Sequence, residues 1–410
     1  MRRPALIAFL GPSLSAREAA RVAPGCQVLP PARQGDLWRA LALRPRVLAL
    51  IDGTFGHVPS VWHHELLDAL EAGVAVFGGA SMGALRAAEL SAHGMVGVGR
   101  IFEAYRDGRL TGDDEVALLH GPAELQFRPL TTPLVDVRAA SERGLEEGAL
   151  SARQARALVR AASDLHYMER TWPRVLEAAR PALGGTAHSW LTALVASRRP
   201  DPKGEDARAT LAAASAFARS NAPVLGRPVR RPSSLVRRRK LSEATTVTRE
   251  GICGSGAVLA ALAAAPDAGA LRDQGLRRAL LAEMARALGL RTTEDERRAA
   301  LAEWLASCGA SGQGERFLAA SGLDGADALR LADDLALEGH LLRRAAEVVS
   351  DGPSDDEGLA LGARLAGRWA VEAKREIGSW GRKKAPSERS KRLRPSRSTR
   401  RSRGSRIGSE

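Results

Sequence analysis

The segment VAVFGGASMGALRAAEL, Val74 to Leu90, changes character halfway along. It opens on Val74-Ala75-Val76-Phe77, an apolar, β-branched and aromatic run of the kind that forms a fully buried strand. Gly78 and Gly79 end the run, and Ala84 to Leu90 is an unbroken row of helix formers. Strand, glycine turn and helix put Ser81 near a helix N-terminus, where unpaired N–H groups and the dipole favour negative charge. Gly79-Ala80-Ser81-Met82-Gly83 also spells G-x-S-x-G, which in α/β-hydrolases sets a serine hydroxyl on a sharp turn beside oxyanion-binding amides. The pentapeptide is common by chance, and its serine can equally cap a helix or sit in a passive anion nest.

Outward from this segment, strand and helix alternate through the first third of the chain. Strands are expected at Ala5 to Leu10, Cys26 to Leu29, Arg46 to Ile51, Val74 to Phe77 and Glu115 to Leu119. Helices are expected at Ala16 to Val22, Asp36 to Leu43, Val61 to Glu71, Ala84 to Leu90 and Ile101 to Tyr105. Repeated β-α units imply a Rossmann-like, doubly wound parallel sheet of about five strands, whose ligands bind at the carboxyl ends of the strands. Those ends carry Gly11-Pro12-Ser13, Asp52-Gly53, Gly79-Ala80-Ser81 and His120-Gly121.

In the order 2-1-3-4-5, Ser81 lies between Asp52 and His120 on neighbouring strands about 4.8 Å away. Serine, imidazole and carboxylate make the candidate catalytic set: Ser81 as nucleophile, His120 to move the proton, Asp52 to orient it. Asp113, Asp114 and Glu115 are rival carboxylates, while Asp52 and His120 also fit plain turn roles. Gly11, Pro12, Gly53, Gly79, Met82, Gly83 and Arg86 are candidates for substrate or anion binding, with the Met82 and Gly83 amides facing an oxyanion. Arg86 and Glu89, three apart on one helix, also suit a structural pair.

The chain has 410 residues and a net charge of +14, which raises a nucleic-acid reading. Arg382 to Glu410 alone hold +10, leaving +4 for the other 381 residues. That Arg- and Ser-rich tail lacks apolar content and reads as a disordered appendage, so nucleic acid is not an expected partner. Cys26, Cys253 and Cys308 are widely spaced, which fits a reducing, cytoplasmic setting and no cysteine zinc site. No apolar run reaches the length of a membrane span, and the short run after Arg2-Arg3 suits a first strand better than a signal peptide. No cofactor and no metal site are expected; Gly251-Ile252-Cys253-Gly254-Ser255-Gly256 lacks the Gly-Lys-Ser/Thr of a phosphate loop. The expected organisation is an α/β core at 1–147, a helical extension at 148–225, a basic linker at 226–250, a helical C-terminal domain at 251–378 and a disordered tail at 379–410.

Seven blocks carry a family resemblance: FLGPSL (Phe9 to Leu14), PPARQGDL (Pro30 to Leu37), IDGTFGHVPSVWHHELLDAL (Ile51 to Leu70), VFGGASMGALRAAEL (Val76 to Leu90), GMVGVGRIFEAYRDG (Gly94 to Gly108), DDEVALLHGP (Asp113 to Pro122) and LHYMERTW (Leu165 to Trp172). Together they resemble the TfuA-like core family. The resemblance implies a companion of a YcaO-type enzyme, which activates a peptide backbone amide with ATP, in thioamidation and ribosomally made peptide antibiotics. It further implies sulfide release from a thiocarboxylated ubiquitin-like sulfur carrier, with the precursor peptide as a further candidate partner. Two other readings stand beside this one: a non-catalytic adaptor that recruits carrier or substrate to YcaO, and a nucleic-acid binder acting through the tail.

Overall fold

The computed structural model describes residues 4–56, 58–197, 200–224, 230, 232–341 and 355–383. The first ninety residues alternate as expected: β1 Leu6–Phe9, α1 Ala16–Val22, β2 Gln27–Leu29, α2 Asp36–Leu41, β3 Val47–Leu50, α3 His63–Glu71, β4 Ala75–Gly79 and α4 Met82–Leu90. Next come β5 Val96–Val98 and α5 Arg100–Arg106. All five strands are parallel in the order β2-β1-β3-β4-β5. Side chains alternate between the faces. Ile7, Phe9, Leu48, Leu50 and Val76 pack under α2, α3 and α4, while Leu6, Ala8, Val47, Ala49 and Phe77 meet the other helical layer.

The fifth strand is not where the sequence pattern pointed. Glu115 to Leu119 begins in a 3-10 turn at Asp113–Glu115 and continues without joining the sheet. Its apolar residues Val116 and Ala117 are buried, but its polar backbone is engaged elsewhere. The Leu119 N–H donates to Thr131 Oγ1 at 2.7 Å, and the Val116 carbonyl accepts from Lys203 Nζ at 2.8 Å. The edge goes to Val96–Val98, where Gly97 lies under the Phe102 ring; a Cβ there would sit 2.1 Å from it.

Helices α6 Leu134–Glu146, α7 Ala152–Ser163 and α8 Trp172–Ala196 pack together on a core of their own. The next helix, α9 Pro202–Arg219, returns to the sheet. Its Ala207, Leu211 and Ala214 complete, with α1, the second face of β1, β3 and β4.

The C-terminal region is mostly helical: α10 Ser234–Glu243, a hairpin of β6 Thr245–Val247 and β7 Ile252–Gly254, then α11 Ser255–Ala263, α12 Ala268–Ala287, α13 Glu294–Ser307, α14 Gly314–Ala320, α15 Gly325–Leu341, α16 Asp355–Leu365 and α17 Arg368–Lys383. The segment expected as a basic linker therefore contains a helix, and that helix joins the two halves. Lys240 Nζ lies 2.6 Å from Asp324, 3.0 Å from Asp327 and 3.1 Å from Asp68 of α3. Arg230 pairs with Asp68 and Glu71, and Arg330 reaches Glu71 at 3.3 Å. Burial works against the Lys240 ammonium, but the three carboxylates outweigh it and hold its pKa above the usual lysine value. The tail beyond Lys383 lies outside the described residues. Among the described residues no helix is long and apolar enough to cross a membrane.

Removing one partner of a buried ion cluster strands the others. Lys240→Met is expected to destabilise the protein by about 3–5 kcal/mol in urea unfolding. A loss below about 1 kcal/mol would mean that the cluster behaves as a solvated surface pair.

Candidate active site

Ser81 stands at the turn between β4 and α4, and its backbone is held from three sides. Ala80 adopts φ 64°, a left-handed conformation that a residue with a Cβ takes only under constraint. Gly79 packs against Thr210 of α9, where a Cβ would fall 2.0 Å from the Thr210 hydroxyl. Gly83 lies on β3: a Cβ there would be 1.8 Å from the Leu50 carbonyl oxygen, and the Gly83 N–H donates to Ile51 O at 3.2 Å. Ser81 is 2 % exposed and does not cap the helix with its side chain. Among the described residues its hydroxyl has no hydrogen-bond partner, and neither does the Met82 N–H.

Of the two amides expected to face an oxyanion, Gly83 is thus engaged with β3 and Met82 is open. Met82, Leu85 and Arg86 line a cleft of about 390 Å³ together with Phe55, Ser60 and Asp113. Arg86 is anchored beside it, donating to Val61 O at 3.1 Å and to Glu89 Oε2 at 2.7 Å. His63 also meets that carboxylate, at 2.8 Å. Burial would raise Glu89, but His63 and Arg86 together hold its pKa below the ordinary value.

Asp52 and His120 are oriented by partners other than each other. The buried Asp52 carboxylate accepts from Gly11 N at 2.8 Å, Ser13 N at 3.0 Å and Ser13 Oγ at 2.6 Å. The β1–α1 amides that could hold an anion already hold one, so Gly11 is structural here and Asp52 faces β1. Gly53 is packed on Met82, leaving 2.7 Å to its Cγ for a Cβ.

His120 Nδ1 lies 2.8 Å from Gly121 O. A carbonyl only accepts, so Nδ1 carries the proton and Nε2 is the free acceptor. The ring stacks edge-on against Phe127 at 5.6 Å. No hydrogen bond among the described residues joins Ser81, His120 and Asp52. Of the rival carboxylates, Glu115 is bound bidentately by Arg138 and Asp114 by Arg170.

A second cleft, of about 330 Å³, opens beside the loop that follows β1. It is lined by Pro12, Ser13, Thr131, Asp136 and Lys203 among others, and sequence reasoning missed the last two. Lys203 stands one turn ahead of Ala207 on the sheet-facing side of α9, and a lysine in that apolar row was the available signal. Burial pushes its pKa down, against the pull of Asp52, Asp136 and Asp201. Burial pushes Asp136 up to about 7, opposed by Lys203 and reinforced by Asp201; among the described residues its buried Oδ1 has no hydrogen-bond partner. Among the described residues no group of three or more His, Cys, Asp or Glu could hold a metal ion.

An open parallel sheet, helices on both faces and clefts at its carboxyl edge define a doubly wound α/β protein with its chemistry on the strand-end loops. A family model described as TfuA-like protein matches residues 52–171, a span containing Asp52, Ser81, His120 and Asp136. The chain carries a TfuA-like core domain, and that family is associated with YcaO-type thioamidation. No curated protein matches the chain.

The raised Asp136 carboxyl sets a pH dependence. Its folded pKa exceeds the ordinary 3.8, so its stabilisation is full below that value and is lost as pH rises towards about 7. Asp136→Asn is expected to remove this loss between pH 4 and 7 in urea unfolding. An identical pH profile for the variant would show that Asp136 ionises freely.

Proposed function

We propose that this chain is the accessory protein of a YcaO-dependent peptide backbone thioamidation and that it releases sulfide from a thiocarboxylated carrier protein at Ser81. The observation that carries this reading is the strained, clamped turn that holds an unpartnered serine hydroxyl beside the open Met82 amide. Strain of this kind persists only where the surroundings enforce it, and it concentrates at functional sites.

In the reaction, Ser81 Oγ attacks the thiocarboxyl carbon, the C–S bond breaks and sulfide leaves. The Met82 N–H stabilises the oxyanion as it forms. Water then hydrolyses the acyl-serine, giving the carrier carboxylate and regenerating the hydroxyl. His120 Nε2 is the acceptor available for the serine proton, with Gly121 O in the orienting role first considered for Asp52.

A non-catalytic adaptor is the second reading. It is favoured by the separation of Ser81 from His120 in hydrogen bonding and by the engagement of the Gly83 amide.

Ser81→Ala is expected to lower sulfide release from thiocarboxylated carrier by at least ~100-fold, with folding unchanged. His120→Gln should slow release while leaving carrier binding intact. Normal release by a folded Ser81→Ala protein would leave the adaptor reading in place.

A further inference from the structure

The second cleft is bordered by Pro12 and Ser13 of the loop that follows β1, at the carboxyl edge where open α/β sheets take their ligands. Ser81 does not line it, and its polar groups are unusual for a structural crevice. Lys203 is 4 % exposed, yet among the described residues its ammonium has one hydrogen-bond acceptor, the Val116 carbonyl. A lysine ammonium has three protons, so two remain for another acceptor. Asp136, also in the lining, offers the opposite need: its buried Oδ1 receives no donor among the described residues. A buried polar group left without a partner costs about 1–3 kcal/mol, so the pair gains from a ligand that satisfies both. The walls add Thr131, whose hydroxyl accepts from Leu119 N and keeps its own proton to donate. Leu130, also in the lining, is 57 % exposed.

We propose that this cleft seats an extended peptide segment, with one backbone amide between Lys203 and Asp136 and an apolar side chain on Leu130. The peptide carbonyl accepts from Lys203 Nζ, and the peptide N–H donates to the Asp136 carboxylate. An amide is the common group that presents an acceptor and a donor on adjacent atoms. A free carboxylate supplies acceptors only and would add negative charge beside Asp136 and Asp201. This assignment deepens the proposed function by naming a peptide as a substrate or partner held on this chain, and rests on that reading only for the identity of the peptide.

The charged groups acting on Asp136 are Lys203 and Asp201, both from the start of α9; Arg138 on its own helix is engaged with Glu115. Because the ionised carboxylate is the acceptor, affinity should rise as pH passes through about 7.

The test is titration calorimetry of the full-length protein with N-acetyl-leucyl-glycyl-leucinamide, and with N-acetyl-leucinate as the carboxylate counterpart. The amide probe should bind saturably, tighter at pH 8 than at pH 6, and more tightly than the carboxylate. Lys203→Met should weaken it roughly 10-fold or more, the loss expected for a hydrogen bond to a charged group. Leu130→Asp, at an exposed position that folding does not depend on, should weaken it as well. Absence of saturable binding, unchanged affinity in folded Lys203→Met and Leu130→Asp proteins, or tighter carboxylate binding at low pH would overturn the proposal. Sulfide release is not read in this experiment, so its failure leaves the Ser81 reading untouched, and loss of the Ser81 reading leaves the cleft testable.

Discussion

The backbone of α4 rests directly on the backbone of β3, and the arrangement of the carboxyl edge follows from that contact. Gly83 has no room for a Cβ above the Leu50 carbonyl, and its N–H closes the contact by donating to Ile51. Gly78 faces the same helix, where a Cβ would stand 2.3 Å from Gly83 O. A helix docked this closely leaves two residues to turn the chain out of β4. Ala80 takes the left-handed conformation that results, and Ser81 is fixed where the helix begins. The position of the serine is therefore a packing consequence, not the choice of a flexible loop.

The same edge divides its chemistry between two places. At the start of α4, a buried serine without a hydrogen-bond partner among the described residues precedes Met82, which lines a cleft bordered by Arg86 and Glu89. Beside the loop that follows β1, Asp52 is consumed internally in holding that loop, which leaves Lys203 and Asp136 as the groups of the cleft with unmet hydrogen-bonding capacity among the described residues. Burial drives their pKa values toward one another, Lys203 down and Asp136 up. Groups tuned in this way are found where protons or polar ligands are handled, although structural ion clusters produce similar shifts. The Lys240 cluster is the structural case in this chain: every carboxylate in it has a cation, and it joins the C-terminal helices to α3.

The sheet was legible because four of its strands are apolar runs closed by glycine, proline or aspartate, and the order 2-1-3-4-5 follows from ordinary β-α winding. The fifth was not, since Val96-Gly97-Val98 is too short and glycine-rich to stand out, while Glu115 to Leu119 has strand composition without an open edge to pair with. The place of Ser81 in the turn between strand and helix was legible from its local context. The hydrogen-bond partners of Asp52 and His120 were not, because strand-end proximity says nothing about which way a side chain turns: Asp52 turns to β1, and His120 to its own neighbour's carbonyl. Lys203 and Asp136 meet only through the return of α9 to the sheet, a long-range event that no local pattern encodes.

The central claim is that Ser81 carries the acyl group while sulfide departs. Its most direct test is mass spectrometry of the protein, acid-quenched within seconds of mixing with thiocarboxylated carrier and then digested. The account predicts a carrier-derived acyl ester on the peptide containing Ser81, formed as sulfide appears and removed by further incubation. Sulfide release with Ser81 unmodified at every quench time, and equally fast in a Ser81→Ala protein, would contradict it.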